Sequence, residues 1–242
     1  MSDPGPLEEQ ARGPTAFGQA LAAYHEGVSG ACLEVRWDVA DPYPLPVEVF
    51  FAAPSPDRPI TQGVMENVRG SVLDVGAAAG RYSVLLAEAG YAVTALEMLP
   101  QAVEILRARG VRTLVGDLFE LNVTETFDTV LVMMNGTSLA GTLARLEGLL
   151  ARLDAWASAG GTILIDSTDP LAGEGEWDVG DDGRYPGELH LQLGFDGHWD
   201  DPIPQLYVDP ETLEVAASKV GLDTAVVARG EEHAYLAKLT RR

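Results

Sequence analysis

The chain has a single cysteine, Cys32, in 242 residues. No disulfide can form within one chain, and a zinc site built on four cysteines is excluded. Positive charge is also scarce: 16 Lys and Arg stand against 37 Asp and Glu, a formal net charge of -21. A surface of that sign repels phosphate backbones, so nucleic acid is not expected as a partner. The same acidity also serves solubility. No apolar run reaches the roughly 18 residues that a membrane span needs. The start, "MSDPGPLEEQ", lacks the basic segment and apolar core of a secretory signal. A cytoplasmic protein without membrane partners is the expectation. The H-E-x-x-H pattern is missing. "DVGDDG", Asp178 to Gly183, resembles the start of a calcium loop only in part, because Leu189 stands where a bidentate Glu is required. No metal site is expected.

What the chain does have is core material, with 46% hydrophobic residues, enough for one large α/β domain. Residues 1–14 read as a flexible tail. Residues 15–70 read as an N-terminal segment. In it a helix runs through Phe17, Leu21 and Tyr24, "CLEVRWDV" and "LPVEVFFAA" are two strands, and a second helix lies around Thr61 to Val68. From Ser71 the pattern becomes strand–helix alternation, and residues 71–242 read as one domain with an insertion at 170–208. Val72 to Val75, "YAVTALE", "VRTLVGD", "FDTVLVMM" and "TILIDS" are successive strands. Leu139, Leu143, Leu146, Leu150 and Leu153 form one stripe of a helix that Gly160-Gly161 closes. In the insertion, "ELHLQLGF" and "IPQLYVD" alternate like an antiparallel pair. "DTAVVAR" and "HAYLAKL" end the chain as an antiparallel hairpin, because their link is too short for a crossover. The expected fold is a doubly wound, mostly parallel seven-stranded sheet ending in that hairpin, with the N-terminal segment and a small β insertion after strand five. Such sheets bind ligands at the carboxyl ends of their strands.

One turn focuses the question of ligand. In "VLDVGAAAG", Gly76, Ala77, Ala78 and Gly80 join a buried strand to a helix, and Asp74 sits at the strand tip. The nicotinamide fingerprint spaces its outer glycines one residue further apart, and Asp74 would oppose a pyrophosphate. It suits an ammonium group instead.

This stretch resembles the first motif of class I S-adenosylmethionine-dependent methyltransferases, acidic-x-Gly-x-Gly-x-Gly, with Ala78 in the middle position. The resemblance implies S-adenosylmethionine as cofactor. It implies that Glu97, ending the second strand, accepts both ribose hydroxyls, and that Met98 lies against adenine. It further implies that Asp117 takes the adenine amino group, that Leu118 offers its backbone amide to the ring, and that Met133 and Met134 lie along the methionine moiety. Each residue also has a structural reading: Asp74 as a turn cap, Glu97 at the dipole of the Pro100 helix, Asp117 as a turn former, the methionines as core, Asn135 as a tight turn before Gly136.

Methyl transfer from a sulfonium is an in-line displacement in which positioning dominates. No diagnostic catalytic residue is present. Asp166, Asp169 and His190 are weak candidates, with His198, His25 and Trp37 also near expected pocket elements. The family's signature for methylating amino groups, Asn or Asp followed by two prolines and an aromatic, is absent, and "MMNG" stands there. The expected activity is methyl transfer to a small-molecule acceptor. The alternatives are a non-catalytic S-adenosylmethionine-binding regulatory module and an aminopropyl transferase of the same fold, although "MMNG" lacks the acids a polyamine needs. The acceptor, the use of a base and the oligomeric state stay open.

Overall fold

The computed structural model describes residues 15–172 and 183–242. The tail expected over residues 1–14, and most of the Gly- and Asp-rich run that includes Asp178, lie outside the described residues. The chain opens with helix α1, Ala16–His25, and strands β1, Cys32–Trp37, and β2, Tyr43–Pro46. Helix α2, Pro59–Asn67, leads into the alternating repeat: β3 Ser71–Val75, α3 Arg81–Glu88, β4 Ala92–Glu97, α4 Pro100–Ala108, β5 Arg112–Val115, β6 Phe127–Val132, α5 Leu143–Trp156 and β7 Ala157–Thr168. Then come β8 Glu188–Phe195, β9 His198–Trp199, β10 Ile203–Leu206, α6 Pro210–Lys219, β11 Leu222–Arg229 and β12 Ala234–Arg241. None of the described helices is long and apolar enough to cross a membrane.

The large sheet has the order β11-β12-β7-β6-β3-β4-β5. The five strands from β7 to the edge strand β5 are parallel. β12 runs antiparallel to both β7 and β11, as the short link between the last two strands requires. β3 is buried on both faces over Val72 to Val75, which is why it reads as a continuous apolar run. On one face, α5 packs Leu146, Leu149, Leu150, Leu153 and Trp156 against Leu73, Val75, Phe127 and Val130. Each such fully buried side chain contributes about 1.5–3 kcal/mol. Strand order reverses around β3, between β4 and β6, and opens a crevice at the carboxyl edge there.

Three expectations are corrected. Leu139 is not part of the long helix: it lies in a 3₁₀ turn over Gly136–Ala140, and Gly141, at φ +74, breaks the chain before α5 starts. Gly160-Gly161 does not close that helix either. α5 stops at Trp156 and β7 begins at once, with Phe127 opposite Ala157. The glycines serve a register shift inside β7: Gly160 has φ +75, and a Cβ on Gly161 would meet the Ser158 backbone at 2.9 Å. Third, "LPVEVFFAA" is a strand only up to Pro46, where a 3₁₀ turn over Val47–Phe50 takes over. Pro44 and Pro46 have no N–H to give, and β2 is accordingly an edge strand.

The N-terminal segment and the insertion, read from sequence as separate additions, pair with each other. β1 runs antiparallel to β8 from Glu34 opposite Gly194 to Trp37 opposite Leu191. The result is a second sheet, β10-β8-β1-β2, with β9 on β8. α1 packs Ala20 and Leu21 with Leu33 and Val35 of this sheet and with Ala102 and Ile105 of α4.

Candidate cofactor and acceptor site

The turn after β3 is built on left-handed backbone. Gly76 has φ +70 and Gly80 +84, and Ala78, which is not glycine, sits at +48. Gly80 also lets α4 approach: a Cβ there would lie 2.8 Å from Leu106 Cδ2. Glu97 holds the turn in place. Its Oε2 accepts from the Ala78 amide at 2.8 Å, and its Oε1 accepts from the Met98 and Leu99 amides at 2.7 and 3.0 Å. Burial pushes this carboxyl above its usual range, and the three amides pull against that shift. Glu97 is therefore a brace for the loop as well as a candidate ribose acceptor. Asp74 is 3% exposed and takes the Ser83 hydroxyl on Oδ2 at 2.5 Å. Burial raises it to about 6, against the Ser83 bond and with help from the Glu97 charge.

A cavity of about 340 Å³ opens beside this turn. Gly76, Ala78, Glu97, Met98, Asp117 and Leu118 all line it. Asp117 Oδ1 accepts from the Phe119 amide at 2.6 Å, which fixes the turn after β5. A second cavity, of about 400 Å³, adjoins it, sharing Gly76, Ala78, Ser138 and Leu139 as lining. Asp74, Ala77, Met133 and Met134 line this second chamber. Gly80 lines neither. The roof over both is the small sheet, which contributes Leu193 and Ile203 to each.

The three weak catalytic candidates stand outside both linings. Asp166 lies behind the loop after β6, accepting from the Met134 and Gly136 amides at 3.1 and 2.8 Å. Burial raises it to about 6, opposed by those amides. Asp169 accepts the Leu171 amide. His190 is half exposed and pairs with Asp38 at 3.2 Å. His198 lies 3.7 Å from Asp200, and His25 stacks on Phe51. Trp37 does line the second chamber, together with Tyr43, Tyr82, Tyr207 and Arg81, which the sequence reading had not singled out. Arg81 follows Gly80 directly, the one signal that pointed to it.

A model of the methyltransferase domain matches residues 72–161. A methyltransferase from Bacteroides fragilis, solved with S-adenosyl-L-homocysteine, superposes with a TM-score of 0.82 at 29% identity over 93% of this chain and 94% of that one. The methyltransferase CcbJ from Streptomyces caelestis shares the fold, with a TM-score of 0.65 at 16% identity over 95% of this chain and 99% of its own. A curated relative, the cypemycin N-terminal methyltransferase of Streptomyces sp, is 33% identical over 104 residues. That match spans 41% of this chain and 42% of the relative. With the Gly-turn cleft and the sheet order above, the match marks residues 72–161 as a methyltransferase domain similar to those of class I S-adenosylmethionine-dependent methyltransferases, whose cofactor is S-adenosylmethionine.

The residues present suit that cofactor. Arg81 Nη1 donates to the Val49 carbonyl at 2.7 Å, but its buried Nε has no partner. A buried guanidinium N–H left open costs about 1–3 kcal/mol, and a carboxylate would satisfy it. Asp74 lines the same chamber, so a carboxylate and a guanidinium stand on one lining.

Proposed function

We propose that this protein catalyses methyl transfer from S-adenosylmethionine to a small-molecule acceptor, and that the acceptor atom is an amine nitrogen. The observation that carries the reading is the pair of adjoining cavities. One is lined by the strand-end residues Glu97, Met98 and Asp117. The other is aromatic, and the two meet at Gly76, Ala78 and Leu139.

Each residue takes a role on that reading. Glu97 accepts from a ribose hydroxyl on Oε2, through the one lone pair its three amide bonds leave free. Met98 and Leu118 hold the adenine between them, with Asp117 at its amino group. Asp74 faces the ammonium of the methionine end, and Arg81 Nε its carboxylate. Gly76, Ala77 and Ala78 let the backbone approach, and Met133 and Met134 lie along the chain to sulfur. Bound there, S-adenosylmethionine supplies a methyl group on a cationic sulfur, which keeps the electron pair of the broken C–S bond. The acceptor nitrogen gives its lone pair to the new C–N bond, and its proton leaves to solvent.

Nitrogen fits the chamber better than a hydroxyl. An alcohol or phenol needs a base at its proton. The described lining of the second chamber holds no His, Lys or Glu, and its one acid, Asp74, is tied to Ser83. A neutral amine already carries a free lone pair. The curated relative is by name an N-terminal methyltransferase.

The test is calorimetry with S-adenosylhomocysteine. The protein should bind it, and Glu97→Ala should weaken binding by about tenfold or more, the scale of a lost charge-assisted hydrogen bond. No binding by the unaltered protein would overturn the proposal.

A further inference from the structure

We infer that Trp37, Tyr43 and Tyr207 form a subsite for an alkylated ammonium, the state in which methyl transfer leaves an acceptor amine. The inference rests on the methyl-transfer reading and adds to it the charge state that the acceptor chamber recognises.

The three rings come from three places in the chain: the end of β1, the start of β2 and the residue after β10. All three line the second chamber. The rings of Trp37 and Tyr207 meet edge to face, with centroids 5.8 Å apart at 66°. Trp37 Nε1 donates to the Tyr43 hydroxyl at 3.3 Å, which sets the indole orientation. In that arrangement the edge of one ring covers a face of the other, and a cation that reaches the ring faces left open gains from them without needing a hydrogen-bond acceptor.

The acids around the chamber fit the same view. Asp74 is occupied by Ser83 and Asp166 by the Met134 and Gly136 amides. Both act on the chamber as charge: burial is the main cause that raises the hydroxyls of Tyr82 and Tyr207, and Asp166 adds to both shifts and Asp74 to that of Tyr82. Asp74 keeps an oxygen for the ammonium of the cofactor, while Asp166, with both oxygens held by the loop amides, adds negative potential alone. A primary ammonium, rich in N–H donors, would be poorly served. An alkylated one, which has one donor fewer for each alkyl group, would be served better. The one cation in the described lining, Arg81, is held by the Val49 carbonyl, and the carboxylate of the cofactor faces it in the proposed complex. As the methyl moves, positive charge passes from sulfur to nitrogen, and rings already facing that nitrogen stabilise the charge where it develops.

The probe is choline, set against its uncharged carbon isostere 3,3-dimethylbutan-1-ol. Both are titrated by ligand-observed NMR into the full chain saturated with S-adenosylhomocysteine. Choline should bind at least about fivefold more tightly than the alcohol, the scale of a desolvated cation–π contact. Trp37→Ala should erase the preference and Trp37→Phe should keep most of it. Tyr43→Ala, altering a rim residue, gives a second reading should Trp37→Ala fail to fold, and should reduce the preference. Equal binding of the two probes, preference for the alcohol, no choline binding, or a preference untouched in both alanine variants would overturn the subsite. Failure of the unaltered protein to bind S-adenosylhomocysteine would instead overturn the methyl-transfer reading, so the two failures are distinct.

Discussion

Ala78 offers the sharpest test of how the cofactor turn is built. It stands at φ +48, in left-handed backbone, where glycine is at home and an L residue is strained. That conformation costs a residue with a Cβ roughly 1–2 kcal/mol. Replacing Ala78 by Gly removes the strain but gives the unfolded chain more freedom, at a cost of about 0.5–1 kcal/mol. The net is a gain of about 0.5–1 kcal/mol. For a chain of this length, 1 kcal/mol moves the thermal midpoint by about 2–4 °C, so Ala78→Gly should raise it by about 1–4 °C. The hydrogen bond from the Ala78 amide to Glu97 uses backbone and survives the change. Ala77 is the control. It is absent from the positive-φ residues of the turn, so Ala77→Gly has no strain to release and should lower the midpoint by a similar amount. Differential scanning calorimetry of the two variants, run side by side, decides. Opposite signs support the reasoning. A fall for Ala78→Gly would refute it, by showing that the methyl group's packing outweighs the backbone strain.

Stability should also respond to pH through Asp74. Its pKa of about 6 in the folded protein lies above the roughly 3.9 of an unfolded chain, so the folded state holds the proton more tightly between those values. The resulting stabilisation is present below about pH 4 and is lost as pH rises through about 6. The thermal midpoint should therefore rise as pH falls from 7.5 to 5.5, and Asp74→Asn should reduce that rise without abolishing it, because Asp166 is raised to about 6 as well; a midpoint that falls over the window in the unaltered protein would contradict the assignment. Gly136→Ala should destabilise by about 1–3 kcal/mol through overpacking, since a Cβ would meet Val132 Cγ1 at 2.9 Å and Ile165 Cγ1 at 3.1 Å. Chemical denaturation measures it, and an unchanged midpoint would show that the loop after β6 yields easily.

Much of the first cavity's lining was legible in the sequence, because it is local. A strand end, a turn and the next strand end each fall within a few residues, and a parallel sheet brings them to one edge. Gly76, Glu97, Asp117 and Leu118 could be found that way, and all line one cavity. The acceptor side was not legible, because it depends on a pairing between β1 and β8 that alternation alone cannot reveal. Alternation marks "CLEVRWDV" and "ELHLQLGF" as strands with one buried face, yet says nothing of which strand each meets. Tyr207 lies just past such a strand and looks like a surface residue until the small sheet is assembled and buries it, whereas Tyr43 stays exposed at the rim. The Leu139 stripe misled for a different reason. Its four-residue spacing to Leu143 continues the helical period across a break that only Gly141, at φ +74, discloses.

The two loops that face each other across the cleft share one construction. After β3, Ala78 is left-handed, and Glu97, from the end of the neighbouring strand β4, takes its amide. After β6, Met134 and Asn135 are left-handed in succession at φ +67 and +61, and Asp166, near the end of the neighbouring strand β7, takes the Met134 and Gly136 amides. In both cases burial opposes the carboxylate's charge, and the loop amides offset that cost. Neither half is stable by itself: a buried carboxylate without donors would be strongly destabilising, and left-handed residues without a fixed acceptor would relax to ordinary backbone. Together they hold two strained loops rigid on either side of the reacting centre. That accounts for an acid such as Asp166, placed where a catalytic base was expected, being turned toward the protein instead of the acceptor. Its work is to hold the Met134 and Gly136 amides, and with them the loop after β6.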